Sequence, residues 1–285
     1  QNASGRKMST AVAVLHGSFG RVCLYNMDRA MVLHAHREGH LVFFVEGAPA
    51  EMVVEGKAFP IAPGQAVAIS PWQPHYYRPR SNGTLLALVL YIKPSWFLEA
   101  ARRATSSLRF GRVAIEANDP ITRHVFRIAR AMLEDGDGGG NVEDVLCALT
   151  QACFDQSWQW THEGTAFVGR PLPVWDFRVR TSLRLMREGV GLTTLDEIAR
   201  KAGLSRPHFF KLFRQHVGVT PNIYMNALRM ETAIQRLSAS HDAVTAIGLD
   251  LGFSSQASFS RFFIANGVVA PSDYRRSVTI AAAFD

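Results

Sequence analysis

Cysteine is scarce in this sequence and long apolar runs are missing from it. The three cysteines, Cys23, Cys147 and Cys153, are an odd number without framework spacing. That excludes a disulfide-stapled scaffold and fits a reducing compartment. No apolar run reaches the roughly 20 residues that a membrane span needs, so no membrane partner is expected. The first residues hold no apolar stretch ahead of a small-residue cleavage site, and a cytoplasmic protein is expected. Charge is sparse too, at 19% of residues against 47% hydrophobic, which excludes general disorder and leaves material for real cores. A chain of 285 residues suits two domains and a linker. The charge is also uneven. Residues 1–175 carry 17 Lys/Arg against 15 Asp/Glu, whereas residues 176–285 carry 14 against 9. A polyanionic partner would meet the C-terminal part.

From Val22 to Ile92 the chain reads as short strands. Residues 42–45, 52–54, 66–69 and 85–92 are apolar runs bounded by turn chemistry such as Gly47-Ala48-Pro49, Pro63-Gly64 and Ser81-Asn82-Gly83. This spacing predicts an antiparallel sandwich or small barrel. The period then changes. Asp119-Pro120 predicts a helix start, with Ile121, Val125, Ile128 and Met132 along one face. Residues 136–140 break that helix, and a second follows from Asn141 with Val145, Leu149 and Cys153 on one face. Residues 161–175, rich in Gly, Thr and Pro, are the expected linker.

Beyond Trp175 the chain repeats itself. Ile198, Gly203 and Ser205 match Ile247, Gly252 and Ser254 at an offset of 49. Phe209, Phe213, Pro221 and Tyr224 match Phe259, Phe263, Pro271 and Tyr274 at an offset of 50. In the first copy Thr194 and Glu197 form a capping box, Gly203 ends the helix, and Ser205 stands ready to cap the next. That next helix buries Phe209, Leu212 and Phe213 and leaves Arg206, Phe210, Lys211 and Arg214 outside. The second copy leaves Ser255, Gln256, Ser260 and Arg261 outside. One helix that props and one whose outer face is free to enter a major groove is the arrangement of a helix-turn-helix. Glutamine pairs bidentately with adenine and arginine with guanine, so these faces suit base reading.

The stretches Leu195 to Ser205, Gly218 to Pro221, Leu228 to Ala233, Leu251 to Gln256, Ser260-Arg261 and Pro271 to Arg275 resemble the AraC/XylS transcription regulators over residues 176–277. The resemblance implies two three-helix subdomains joined by one long helix, about Thr220 to Leu237, with both recognition helices in successive major grooves of double-stranded DNA. Carried over residue by residue, the base-facing positions are Arg206, Pro207, Phe210 and Lys211, then Gln256, Ser260 and Arg261, with Ser255 added from the outer face. The chain departs from the family pattern at Phe263 to Gly267, where basic residues are usual.

The same family often carries an N-terminal cupin barrel, and residues 20–95 look like one. The fold class expected is therefore α+β. A cupin-like antiparallel barrel with a helical pair occupies residues 8–160, and an all-α tandem helix-turn-helix domain occupies residues 176–285. The resemblance implies a small-molecule effector, a homodimer through the helical pair, contact with RNA polymerase and an activating role. His34, His36, His40, Trp72, His75, Tyr77 and Arg78 are the candidate effector residues. Several imidazoles inside a barrel also suit zinc, iron or nickel. The reading preferred on the sequence is that they hydrogen-bond an organic effector, with no metal and no cofactor. The alternatives are a regulator controlled by metal or a partner, and a cupin metalloenzyme with a DNA-binding tail. Catalysis is not expected, because Glu38 sits two residues after His36, where the resemblance does not place a carboxylate ligand.

Overall fold

Alternation along the strands decides the N-terminal half. The computed structural model describes residues 9–100, 108–133, 142–158, 176–267 and 269–280. The expected linker at 161–175 and the break at 136–140 lie outside the described residues. The strands are β1 (Thr10–Gly17), β2 (Gly20–Met27), β3 (Gly39–Gly47), β4 (Ala50–Val54), β5 (Lys57–Ile61), β6 (Gln65–Ile69), β7 (His75–Pro79) and β8 (Leu85–Ile92). Helix α1 (Pro94–Ala100) and a short β9 (Ala114–Glu116) follow. Two sheets form, one in the order β5-β4-β7 and a larger one running β1-β2-β8-β3-β6-β9. Met52, Val54 and Tyr77 of the small sheet pack on Val42, Val89 and Tyr91 of the large one.

The other face of β8, with Leu88, Leu90 and Ile92, packs with Phe97 of α1 and with helices α2 (Asp119–Leu133) and α3 (Val142–Trp158). A strand covered on both faces has no reason to alternate, and β8 reads as one apolar run. Both helices fall where the 3.6-residue period places them. The cap of α2 differs from the expectation: the Asn118 carboxamide oxygen accepts from the Ile121 amide at 3.2 Å, so the residue before Asp119 closes that end.

The C-terminal half is helical as expected, with α4 (Phe177–Glu188), α5 (Leu195–Lys201), α6 (Arg206–Val217), α7 (Pro221–Ala239), α8 (Val244–Asp250), α9 (Gln256–Gly267) and α10 (Pro271–Arg276). The capping box forms: Glu197 accepts from the Thr194 amide at 2.8 Å, and Thr194 accepts from the Glu197 amide at 3.3 Å. Gly203 turns with φ +70. Ser205 occupies the N-cap position of α6, but its hydroxyl makes no capping bond. In the second copy Ser255 closes the start of α9 by accepting from the Ser258 amide at 3.2 Å.

One element was not expected at all. After α10 the chain enters β10 (Val278–Ile280), which pairs in parallel with β1, Val14 opposite Val278. The segment expected to be wholly helical thus contributes the edge strand of the barrel's larger sheet. The packing is continuous across this junction, for Leu237, Phe259, Phe263 and Tyr274 share one cluster with the barrel interior.

His16 spans the same junction. Its Nε2 lies 2.9 Å from the Tyr274 hydroxyl and 3.1 Å from the Ser238 hydroxyl. Burial, then the charges of Arg21 and Lys93, push its pKa from 6.5 down to about 4. The docked histidine is therefore neutral, while an undocked one recovers its ordinary value. The contribution of His16 to docking is complete above pH 6.5 and is lost as pH falls toward 4. The rate of limited proteolysis of the full chain, measured across that window, is expected to rise as pH falls, and His16→Gln to flatten part of the slope. An identical slope in the variant would remove His16 from this role.

Candidate DNA interface and the cavity beneath it

Two faces of the helical half present polar side chains on rigid backbone. On α6, Phe209 and Phe213 are fully buried and fix the roll of the helix. Arg206, Pro207 and Lys211 are then exposed and Phe210 half-buried. Phe210 meets Phe209 edge-on at 5.8 Å, and the Arg206 guanidinium lies 5.2 Å over the Phe210 ring while pairing with Asp196. On α9, Phe259 and Phe263 are buried in the same way, which leaves Gln256 and Arg261 exposed and Ser260 half-buried. Thr245 donates to the Gln256 carboxamide oxygen at 2.6 Å, so that side chain is already oriented. Ser255 is exposed beside them, with its hydroxyl engaged at the helix start.

Beneath α9 lies a cavity of about 50 Å³, room for a few waters. Its barrel side includes Arg21, His34, His36 and Glu38; its other side includes Glu231 of α7 and Phe263 and Asn266 of α9. The charges are paired. Arg21 donates to Glu38 at 2.7 Å, and its guanidinium sits 3.6 Å from the centre of the Tyr91 ring. Arg37 of the barrel reaches Glu231 across the junction at 3.4 Å. Burial raises the Glu231 carboxyl, with Arg37 opposing.

The four histidines come together from three segments. His34 and His36 lie before β3, His40 is its second residue, and His75 opens β7. His34 and His75 form an isolated bridge, each amide donating to the other's carbonyl at 3.0 and 2.9 Å. The ring of His75 stands 4.3 Å from that of His34, 4.9 Å from His36 and 5.1 Å from His40. Burial pushes all four imidazoles down, His34 to about 4, and the neighbouring rings add to the effect on His36, His40 and His75. All four are neutral at physiological pH.

The other three candidate effector residues go elsewhere. Trp72, at φ +64, stacks on Tyr224 of α7 at 4.8 Å and 16°, joining the barrel to the first helix-turn-helix. Tyr77 is buried between the sheets, its hydroxyl 3.4 Å from the Met27 carbonyl. Arg78 lies opposite Glu51 in the β4–β7 ladder and donates to it at 2.5 and 3.0 Å. Arg21 and Glu231 are functional residues that the sequence did not single out, and Glu38 was weighed only as a metal ligand. Arg21 carried a signal, a lone charge in the apolar strand Gly20-Arg-Val-Cys-Leu-Tyr25. The helix side of the cavity carried none, because only docking brings it there.

Comparison with known proteins agrees with both halves. Residues 19–149 match the family described as AraC-like ligand binding domain, and residues 198–277 match a helix-turn-helix domain family. An uncharacterized HTH-type transcriptional regulator of Haemophilus influenzae is 31% identical over 106 residues, 37% of this chain, and the match spans 36% of that protein's length. The probable transcription factor PqrA of Proteus vulgaris is 33% identical over 86 residues, 30% of this chain and 70% of its own length. Among solved structures, wild-type ToxT from Vibrio cholerae strain SCE256 bound to an unsaturated fatty acid superposes with a TM-score of 0.57 at 16% identity. That superposition covers 96% of this chain and 98% of the other, and at this identity it speaks for the fold.

Proposed function

The chain belongs to the AraC/XylS family of transcription regulators, and we propose that it reads DNA with α6 and α9 while a small effector in the cavity beneath α9 sets their presentation. One observation carries this reading. Helix α9 turns Gln256 and Arg261 outward, and from its other face lines the cavity with Phe263 and Asn266. Anything that enlarges or fills the cavity acts directly on a base-reading helix. A ligand shifts such an equilibrium only by its differential affinity for the two arrangements, typically about 1–3 kcal/mol.

The effector that fits is small and polar or anionic. Arg37 and Glu231 are both partly exposed, so an anion can take over the arginine. The similar ToxT structure is bound to an unsaturated fatty acid, which is also a carboxylate, and this supports an acid as the first class to test. Dimerisation through α2 and α3 is part of the proposal, supported by Phe126 and Leu133 exposed on α2 at 50% and 57%. Contact with RNA polymerase, an activating role and the absence of turnover belong to it as well. Among the described residues no helix is long and apolar enough to cross a membrane.

The test is readout by the full chain. Two protected DNA segments about one turn apart, roughly 10–10.5 base pairs, are expected, with affinity falling steeply in salt. Arg261→Ala should cost about 1–3 kcal/mol on the preferred site and relax one or two base positions. Arg276, exposed and paired with Asp273, should on truncation weaken all sequences alike or change little. Selection from a randomised library that returned the same motif for Arg261→Ala would remove that residue from the reading.

A further inference from the structure

The histidine cluster has more lone pairs than protons. The Nδ1 atoms of His34, His36 and His75 lie 2.9, 3.0 and 2.8 Å from the backbone carbonyls of Val32, Glu38 and Gln73. A carbonyl only accepts, so each Nδ1 carries the hydrogen and each Nε2 of these neutral rings carries a lone pair. The three residues can offer nitrogens that all lie within 4.8 Å of one another. His40 Nδ1 stands 3.2 Å from Nε2 of both His36 and His75. A neutral His40 has at most one hydrogen to offer there, and two acceptors compete for it. A purely hydrogen-bonded cluster is therefore under-supplied with donors in a buried site, where unsatisfied polar atoms are costly.

A cation removes the shortage. Four nitrogens placed tetrahedrally at 2.0–2.1 Å from a zinc ion stand about 3.3 Å apart. Two of the separations that such a set needs, from His40 Nδ1 to Nε2 of His36 and of His75, are 3.2 Å, and the nitrogens of His34, His36 and His75 lie within 4.8 Å of one another. The Nδ1–carbonyl bonds are also the outer contacts that fix tautomer and ring direction in metal-binding histidines. Glu38 is held by Arg21, which leaves an all-imidazole donor set. Such a set suits borderline first-row ions and disfavours calcium or magnesium.

We propose that the barrel binds one divalent first-row transition ion of the zinc class, through Nε2 of His34, His36 and His75 with His40 as the fourth imidazole. This proposal departs from the metal-free expectation from the sequence and does not depend on the effector reading. An ion bound here without any effector response would keep the site and remove that reading.

The experiment uses the full chain, stripped with a chelator and titrated with Zn²⁺ against a chromophoric competitor, and separately with Co²⁺. The expected result is one ion per chain, the visible absorption of tetrahedral cobalt, and a melting temperature that rises with Zn²⁺ because the native state binds it. His36→Gln with His75→Gln is expected to weaken binding at least 100-fold, and His241→Gln, at a distant exposed histidine, to leave it unchanged. His34→Gln alone should weaken it about 10-fold or more, which keeps the test open if the double variant does not fold. Failure of the wild-type chain to bind one ion, or retention of binding by folded variants of the cluster, would overturn the proposal.

Discussion

Gly191→Ala is expected to destabilise the chain by about 2–4 kcal/mol and to abolish simultaneous protection of the two DNA segments. Gly191 sits in the loop after α4 at φ +82, a conformation that costs an L-residue about 1–2 kcal/mol. The larger obstacle is steric. An added Cβ would stand 2.1 Å from the Asp250 carbonyl oxygen and 2.8 Å from the Leu251 Cα. Facing it, Gly252, the turn glycine of the second helix-turn-helix, has the same φ of +82 and would place a Cβ 2.6 Å from the Gly191 carbonyl oxygen. Two backbones touch here without side chains between them, and together with α7 they set the separation of α6 from α9. Urea denaturation gives the stability, and footprinting gives the geometry. An alanine variant with wild-type stability and both segments protected would show that the spacing is fixed elsewhere.

The second large effect belongs to Phe259→Ala. Its side chain has no exposed area and packs over Gly248, where a Cβ would stand 2.8 Å from the Phe259 Cβ. Removing a buried phenyl group costs about 3–5 kcal/mol, transfer and cavity together. Phe209→Ala, equally buried on α6, should cost a similar amount. The two differ in reach. Phe209 packs with the first unit, with Ala35 and Trp72 at its border, whereas Phe259 belongs to the cluster that continues into the barrel interior. Phe259→Ala should thus lose the second protected segment and also loosen the barrel junction, seen as faster exchange of the β1 and β10 amides. Equal exchange in the two variants would contradict a shared core.

What could be read in the sequence was chemistry that acts over a few residues. The Thr194–Glu197 box, the Gly203 turn and the aromatic pairs Phe209/Phe213 and Phe259/Phe263 are local, and each is where the pattern places it. So are β3, β4, β6 and β8. Arg78 shows the opposite case. Its residue type marked it as an effector candidate, but its partner Glu51 depends on the β4–β7 register, which no short-range signal specifies. Trp72 is among the candidate effector residues, yet Tyr224, 152 positions away in the numbering, decides what it touches. Ser205, just before α6, and Asp119, the first residue of α2, show how a suitable residue at a helix start need not be the one that makes the bond. The histidines were legible as a set because His34, His36 and His40 stand close in the sequence and the cupin resemblance brings in His75. Their excess of lone pairs was not, because it arises from which carbonyl each Nδ1 meets.

The parallel pairing of β10 with β1 makes the junction between the halves a closed circuit. Ser277 donates to the Ala11 carbonyl from 266 positions along the chain, and the ladder at Val14–Val278 begins beside it. Separation of the halves then requires this short ladder to open while the covalent path through residues 159–175 stays intact. A strand carried on the same chain meets β1 intramolecularly, at an effective concentration that a separate copy has to match. It rebinds far faster than an untethered copy can arrive. A free peptide with the sequence of Val278 to Ile280 would therefore compete poorly. The same arithmetic makes any opened state brief, and the residence time on DNA in that state would be governed by reclosure of the ladder as well as by the base contacts.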